Sequence, residues 1–89
     1  MDAGADDVAR RSVLRVLGQA DGPLGALEVS RRSHLSTLVV IPILTTLAEE
    51  ALVRRERVTT GSGRRDVTWA YALTGRGNRA VAEAARRTG

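Results

Sequence analysis

The 89-residue chain contains no cysteine, no lysine and no phenylalanine. Without cysteine it can form neither disulfides nor thiolate metal sites, which fits a reducing compartment and makes the cytoplasm the expected location. Trp69 and Tyr71 are its only aromatic residues, so the 43% hydrophobic content must build a core from Leu, Val, Ile and Ala. No apolar run approaches the roughly 20 residues that span a bilayer. The opening stretch Met1-Asp2-Ala3-Gly4-Ala5-Asp6-Asp7 is acidic where a signal peptide is basic, so neither export nor membrane insertion is expected. His34 is the only histidine, and with no cysteine to join it no metal or other cofactor is expected. There is no glycine-rich phosphate loop of known spacing and no nucleophile–base arrangement, so an enzyme is not expected.

What is present is arginine. All 14 basic residues are Arg, against 10 acidic residues, giving a net charge of +4 and an isoelectric point near 11.2. Such a balance favours partners that carry phosphate, although overall charge speaks to binding rather than to fold. The length corresponds to one domain, and a domain this small buries only about three fifths of its unfolded surface, which leaves room for a second chain to complete the core.

Hydrophobic spacing orders the elements. Asp6 or Asp7 can cap a first helix, preceded by a disordered tail over 1–6, with Val13, Leu14 and Leu17 as its apolar stripe. The helix ends near Gln19, before Asp21-Gly22-Pro23. Leu24 to Arg32 reads as a second helix anchored by Leu27, followed by a turn at Ser33-His34. Val40, Leu44, Leu47 and Ala51 share one face of a third helix over Leu35–Ala51, capped by Ser36 and bent by the early Pro42. Leu52–Val58 has no helical stripe. Val67, Trp69, Tyr71 and Leu73 alternate with Thr68, Ala70 and Ala72, so two strands are expected around a Gly-rich loop tipped by Arg64-Arg65. Trp69 and Tyr71 are expected to point inward, as core or dimer-interface residues. Thr74 caps a last helix through Ala80, Val81 and Ala84 to about Arg87, its start weakened by Gly75 and Gly77. This order gives an α+β, mainly helical class: a winged helix-turn-helix of three helices, a two-stranded wing and a C-terminal helix, occupying 7–87.

Several stretches, in this order, resemble the PadR-like winged-helix family of bacterial regulators, with the MarR-like family a more distant relative. Val13-Leu14-Arg15-Val16-Leu17 and Gly22-Pro23-Leu24-Gly25-Ala26-Leu27-Glu28-Val29 look like that family's first helix, break and second helix. Pro42-Ile43-Leu44-Thr45-Thr46-Leu47, running on to Ala51-Leu52-Val53, is similar to its third helix and the exit into the hairpin. Gly61-Ser62-Gly63-Arg64-Arg65 and Tyr71-Ala72-Leu73-Thr74-Gly75-Arg76-Gly77 resemble the wing and the entry into the next helix. The chain departs from the family at Ile41, where a Tyr is usual, at Thr45 and Thr46, where basic residues are frequent, and at Ala51, where a Gly is usual. The family's long C-terminal dimerisation helix has no counterpart before Gly89, so a homodimer is expected through the first and last helices. The resemblance allows a small-molecule inducer, which nothing in the residues calls for. It implies a transcriptional regulator, a repressor, that binds double-stranded DNA.

On that reading Arg31, Arg32, His34, Arg54, Arg64 and Arg65 face DNA, with Arg55 and Arg57 in the same basic set. The planar guanidinium fork suits phosphate because it makes two parallel charge-assisted hydrogen bonds. The third helix has no basic residue and ends in Glu49-Glu50, which would repel DNA, so only its front half is expected in the major groove. There Ser36, Thr37, Thr45 and Thr46 can hydrogen-bond and Val39 can touch a thymine methyl. Val39, Ile41 and Ile43 lie partly off the core face, and an apolar front of this kind equally suits a protein-docking module.

Overall fold

In the computed structural model, which describes residues 3–59 and 67–88, the chain runs α1 (Ala3–Gln19), β1 (Leu24–Gly25), α2 (Ala26–Ser33), α3 (Thr37–Glu49), β2 (Val53–Thr59), β3 (Val67–Leu73) and α4 (Gly75–Thr88). The strands form an antiparallel sheet in the order β1-β3-β2. This is a winged helix. The loop expected to carry the wing tip, with Arg64 and Arg65, lies outside the described residues.

Valine and leucine do fill the core. Val13, Val16 and Leu17 of α1 meet Val29 of α2, then Val40, Leu44 and Leu47 of α3, with Val53 and Tyr71 closing it from the sheet. At about 25 cal/mol per Å² of apolar surface buried, these side chains are the main favourable contribution to folding.

Four expectations are corrected. The first helix begins at Ala3 rather than Asp7; Ala3 and Ala5 are strong helix formers, and the helix extends past the aspartates. Asp7 pairs with Arg11 one turn on, at 2.8 Å. Leu24-Gly25 is a strand, with Leu24 opposite Tyr71 and Gly25 opposite Ala70. Beginning α2 at Ala26 turns its inward stripe onto Val29, which is fully buried, and leaves Leu27 59% exposed. Ala51 is not on the buried face of α3, because that helix ends at Glu49.

The ends of α2 and α3 share a device. After α2, His34 is left-handed at φ 61° and the Leu35 N–H donates to the Ser30 carbonyl at 3.2 Å. After α3, Ala51 is left-handed at φ 63°. There the Leu52 N–H donates to the Leu47 carbonyl at 3.0 Å and the Ala51 N–H to the Ala48 carbonyl at 3.1 Å, the paired bonds of a Schellman ending. Pro42 sits inside α3 without ending it.

The α3–β2 turn also holds α4. The Thr74 N–H donates to the Leu52 carbonyl at 3.0 Å, and Thr74 Oγ1 donates to the Ala51 carbonyl at 2.6 Å while accepting from the Gly77 N–H at 3.1 Å as the helix cap. Gly77 does not merely weaken α4, since a Cβ there would lie 2.0 Å from the Leu52 carbonyl oxygen. The glycine is what lets α4 start against this turn.

Two substitutions test this joint by chemical denaturation. Ala51→Gly relieves a left-handed alanine and is expected to raise stability by about 0.5–1 kcal/mol. Gly77→Ala is expected to lower it by roughly 1–3 kcal/mol, the usual cost of forcing a group into packed surroundings. Equal stability for Gly77→Ala and the unchanged chain would show that the approach of α4 to Leu52 is not tight.

Candidate nucleic-acid interface

The turn between α2 and α3 is short because its polar groups are satisfied locally. Ser30 Oγ donates to the Leu35 carbonyl, Ser33 Oγ donates to the Val29 carbonyl at 2.7 Å, and Ser36 Oγ accepts the Leu38 N–H at 3.0 Å as the cap of α3. These bonds set α3 directly after α2 and leave its front open.

Because Val40, Leu44 and Leu47 are buried on one side, the opposite side presents Leu38, Ile41, Pro42, Thr45 and Glu49. Leu38 is 85% exposed, the largest exposure among the large apolar residues described. Its position two residues before Val40 places it across the helix from the core, a relation that helical spacing alone implies. Val39 and Ile41 are exposed at 42% and 48%, while Ile43 packs against the core. Thr45 Oγ1 is engaged with the Ile41 carbonyl at 3.0 Å, which leaves its oxygen free to accept. Thr46 is exposed and Thr37 half-buried. Pro42 has no N–H, so the Leu38 carbonyl lacks its helical donor and adds an acceptor to this front.

The candidate residues fall into three groups. Arg31 and Arg32 are exposed at the end of α2, and His34 is exposed in the turn that leads to Ser36, Thr37 and Val39. The two arginines share one counter-charge, with Arg32 Nε 2.9 Å and Arg31 Nη1 4.0 Å from the Glu28 carboxylate. Arg54 is exposed on the hairpin but is engaged with Glu56 at 2.9 Å. Arg55 and Arg57, at the alternate positions of β2, lie on the other face of that strand over Trp69. Trp69 is therefore not a core residue like Tyr71: it is 44% exposed.

The acidic end of α3 is less repulsive than its composition suggests. Arg10 of α1 forms an ion pair with Glu50. That hydrogen bond outweighs the opposing effect of burial and, with the charges of Arg10 and Arg76 adding to it, holds the Glu50 carboxyl below the usual carboxylate range.

A groove of about 600 Å³ runs between α1 and α4, lined by apolar residues including Val8, Leu14, Val81 and Ala84, with Arg11 and Arg15 among its polar residues. Among the described residues no cluster of three or more His, Cys, Asp or Glu could hold a metal ion, and no helix is long and apolar enough to cross a membrane.

No protein-family model matches the chain, and no curated protein matches its sequence. Solved structures do. A PadR-like transcription factor from Bacteroides fragilis superimposes with a TM-score of 0.76 at 20% identity, over 94% of this chain and 82% of that one. A mutant of ZitR from Lactococcus lactis matches at 0.72 and 17% identity, over 97% of this chain and 61% of that one. A MarR family regulator from Neisseria meningitidis matches at 0.65 and 21% identity, over 94% and 59%. The fold expected from the PadR-like resemblance is thus the fold observed, and the chain spans about three fifths of the latter two proteins.

The Arg10–Glu50 pair yields a pH prediction. A depressed carboxylate pKa adds stability above its unfolded value and loses it as pH falls through the folded value. Glu50→Gln should therefore cost stability at neutral pH, at most about 1 kcal/mol for so exposed a pair, and the difference from the unchanged chain should vanish in acid below the carboxylate range. A difference that persists there would assign the effect to packing.

Proposed function

We propose that this chain is a sequence-specific transcriptional regulator, a repressor in the cytoplasm, that binds double-stranded DNA as a homodimer. The observation that carries the reading is the open front of α3 in the second position of a helix-turn-helix, flanked by the exposed Arg31 and Arg32. In such a motif the second helix enters the major groove while the first crosses the backbone. Ser36, Thr37, Val39, Thr45 and Thr46 then meet base edges, joined by Leu38. Arg31, Arg32, His34 and Arg54 hold flanking phosphates, and Arg64 and Arg65 grip the backbone or minor groove from the wing. The likeness in fold to a PadR-like transcription factor and a MarR family regulator supports the same reading. The α1–α4 groove, with Val8 exposed at its margin, supports pairing through the first and last helices. A two-fold dimer would read half-sites about one helical turn or a multiple apart.

Retention on duplex DNA should fall steeply between low and moderate salt as counterions compete for phosphate. Replacing Arg64 and Arg65 by Ala should weaken binding to all sequences alike, whereas Thr45→Ala should change sequence preference. Retention that is indifferent to salt contradicts the phosphate grip, and an unchanged preference contradicts base reading by α3.

A second reading is favoured by one observation: Leu38, Val39 and Ile41 make the front of α3 apolar and without positive charge. A winged-helix module that docks a protein there would need no DNA. Size exclusion at low salt with and without random-sequence duplex separates the two, since co-elution supports the regulator and independent elution the docking module.

A further inference from the structure

Arg55 and Arg57 lie with their guanidinium carbons 4.9 and 5.7 Å from the centroid of the Trp69 ring. Both distances fall within the range of cation–π attraction. Register explains the grouping: Arg57 pairs directly with Trp69, Arg55 with Tyr71, and Val53 with Leu73, so all six occupy one face of the hairpin. That face is core at its base, where Val53 and Tyr71 are buried, and it opens to solvent at Trp69. Arg54 and Glu56 pair on the other face.

Two features of this cluster need a cause. An indole left 44% exposed contributes little to the core. Two like charges at alternate positions of a strand, some 7 Å apart along it, repel each other. Among the described residues neither arginine has a carboxylate within ion-pair distance, in contrast to Arg31, Arg32 and Arg54. An anion between the two forks would remove the repulsion, and the indole already restricts both side chains, so less freedom is lost on binding.

We propose that Arg55 and Arg57, held by Trp69, form a phosphate clamp on the open face of the hairpin that grips the DNA backbone separately from α3 and the wing tip. The ligand is the phosphodiester backbone of duplex DNA. This follows from β2, which carries both arginines, running on directly from the end of α3, the second helix of the motif read above as DNA-binding. The inference rests on the DNA-binding reading above. Trp69 is a positioning residue here and Arg55 and Arg57 are the contacts.

Trp69 is the only tryptophan, so its emission reports directly on the clamp. The full chain is titrated with a random-sequence duplex and with a single strand across a range of salt, following emission and, for every variant, anisotropy of a labelled DNA. Duplex binding should perturb the emission. Arg55→Ala with Arg57→Ala should reduce the slope of log affinity against log salt by about 1.8, or 0.9 for each lost contact. Trp69→Leu, which keeps both charges, should weaken binding about fivefold with most of the slope retained, and Trp69→Phe should restore much of the loss. Thermal unfolding of each variant checks that the hairpin persists, and Arg55→Lys with Arg57→Lys tests the site without removing charge. Duplex binding with an unchanged slope in the double Ala variant overturns the clamp and leaves the DNA reading standing. A larger emission change and tighter binding with single strand than with duplex overturns it in favour of base stacking on Trp69. Absence of duplex binding by the unchanged chain at low salt removes the DNA reading and the clamp with it.

Discussion

The α3–β2 turn at Ala51-Leu52 is the constraint on which the other elements depend. One carbonyl, that of Leu52, receives the Thr74 N–H and also lies against Gly77, while its neighbour at Ala51 receives the Thr74 hydroxyl. The end of α3, the base of the hairpin and the start of α4 are therefore joined through one pair of peptide groups. Rotating α3 would break the cap of α4, and displacing α4 would strain the exit of the hairpin. A buried or crowded backbone group left without its partner costs about as much as a lost hydrogen bond, so the three elements keep one mutual arrangement. The left-handed alanine is tolerated because these bonds require that conformation.

From this joint the molecule acquires faces of different character. The front of α3 is apolar and uncharged, with hydroxyls at its edges. Positive charge sits around it: at the end of α2, where Glu28 offsets part of it, and on the hairpin, where Trp69 rather than an acid accompanies two arginines. In a DNA-binding reading, affinity comes mainly from the flanks and discrimination from the front, which is the division of labour between phosphate and base contacts. Arg10 offsets part of the repulsion that Glu50 would otherwise impose at the far end of α3.

Much of this was legible in the residues. The intervals of Val40, Leu44 and Leu47 identified the buried face of α3, Ser36 and Thr74 identified two helix caps, and strict alternation located β3 at its observed limits. What escaped was of two kinds. A two-residue strand such as Leu24-Gly25 is too short to show a period, and missing it shifted the start of α2 and misassigned Leu27. Alternation also treated Trp69 and Tyr71 as equivalent. They do share a face, but the core ends between them.

The sequence by itself determined the class of fold, because period, punctuation and capping are local properties that a short window of residues carries. It determined as well that positive charge here means arginine, and that chemistry requiring cysteine is closed to this chain. Only the tertiary structure decided which arginines stand apart from acids and which share one, that Glu50 is paired from α1, that Gly77 is required by a carbonyl distant in sequence, and that Trp69 is partly exposed with two guanidinium groups over its ring. Those relations depend on distances between residues far apart in the chain, which no local pattern records.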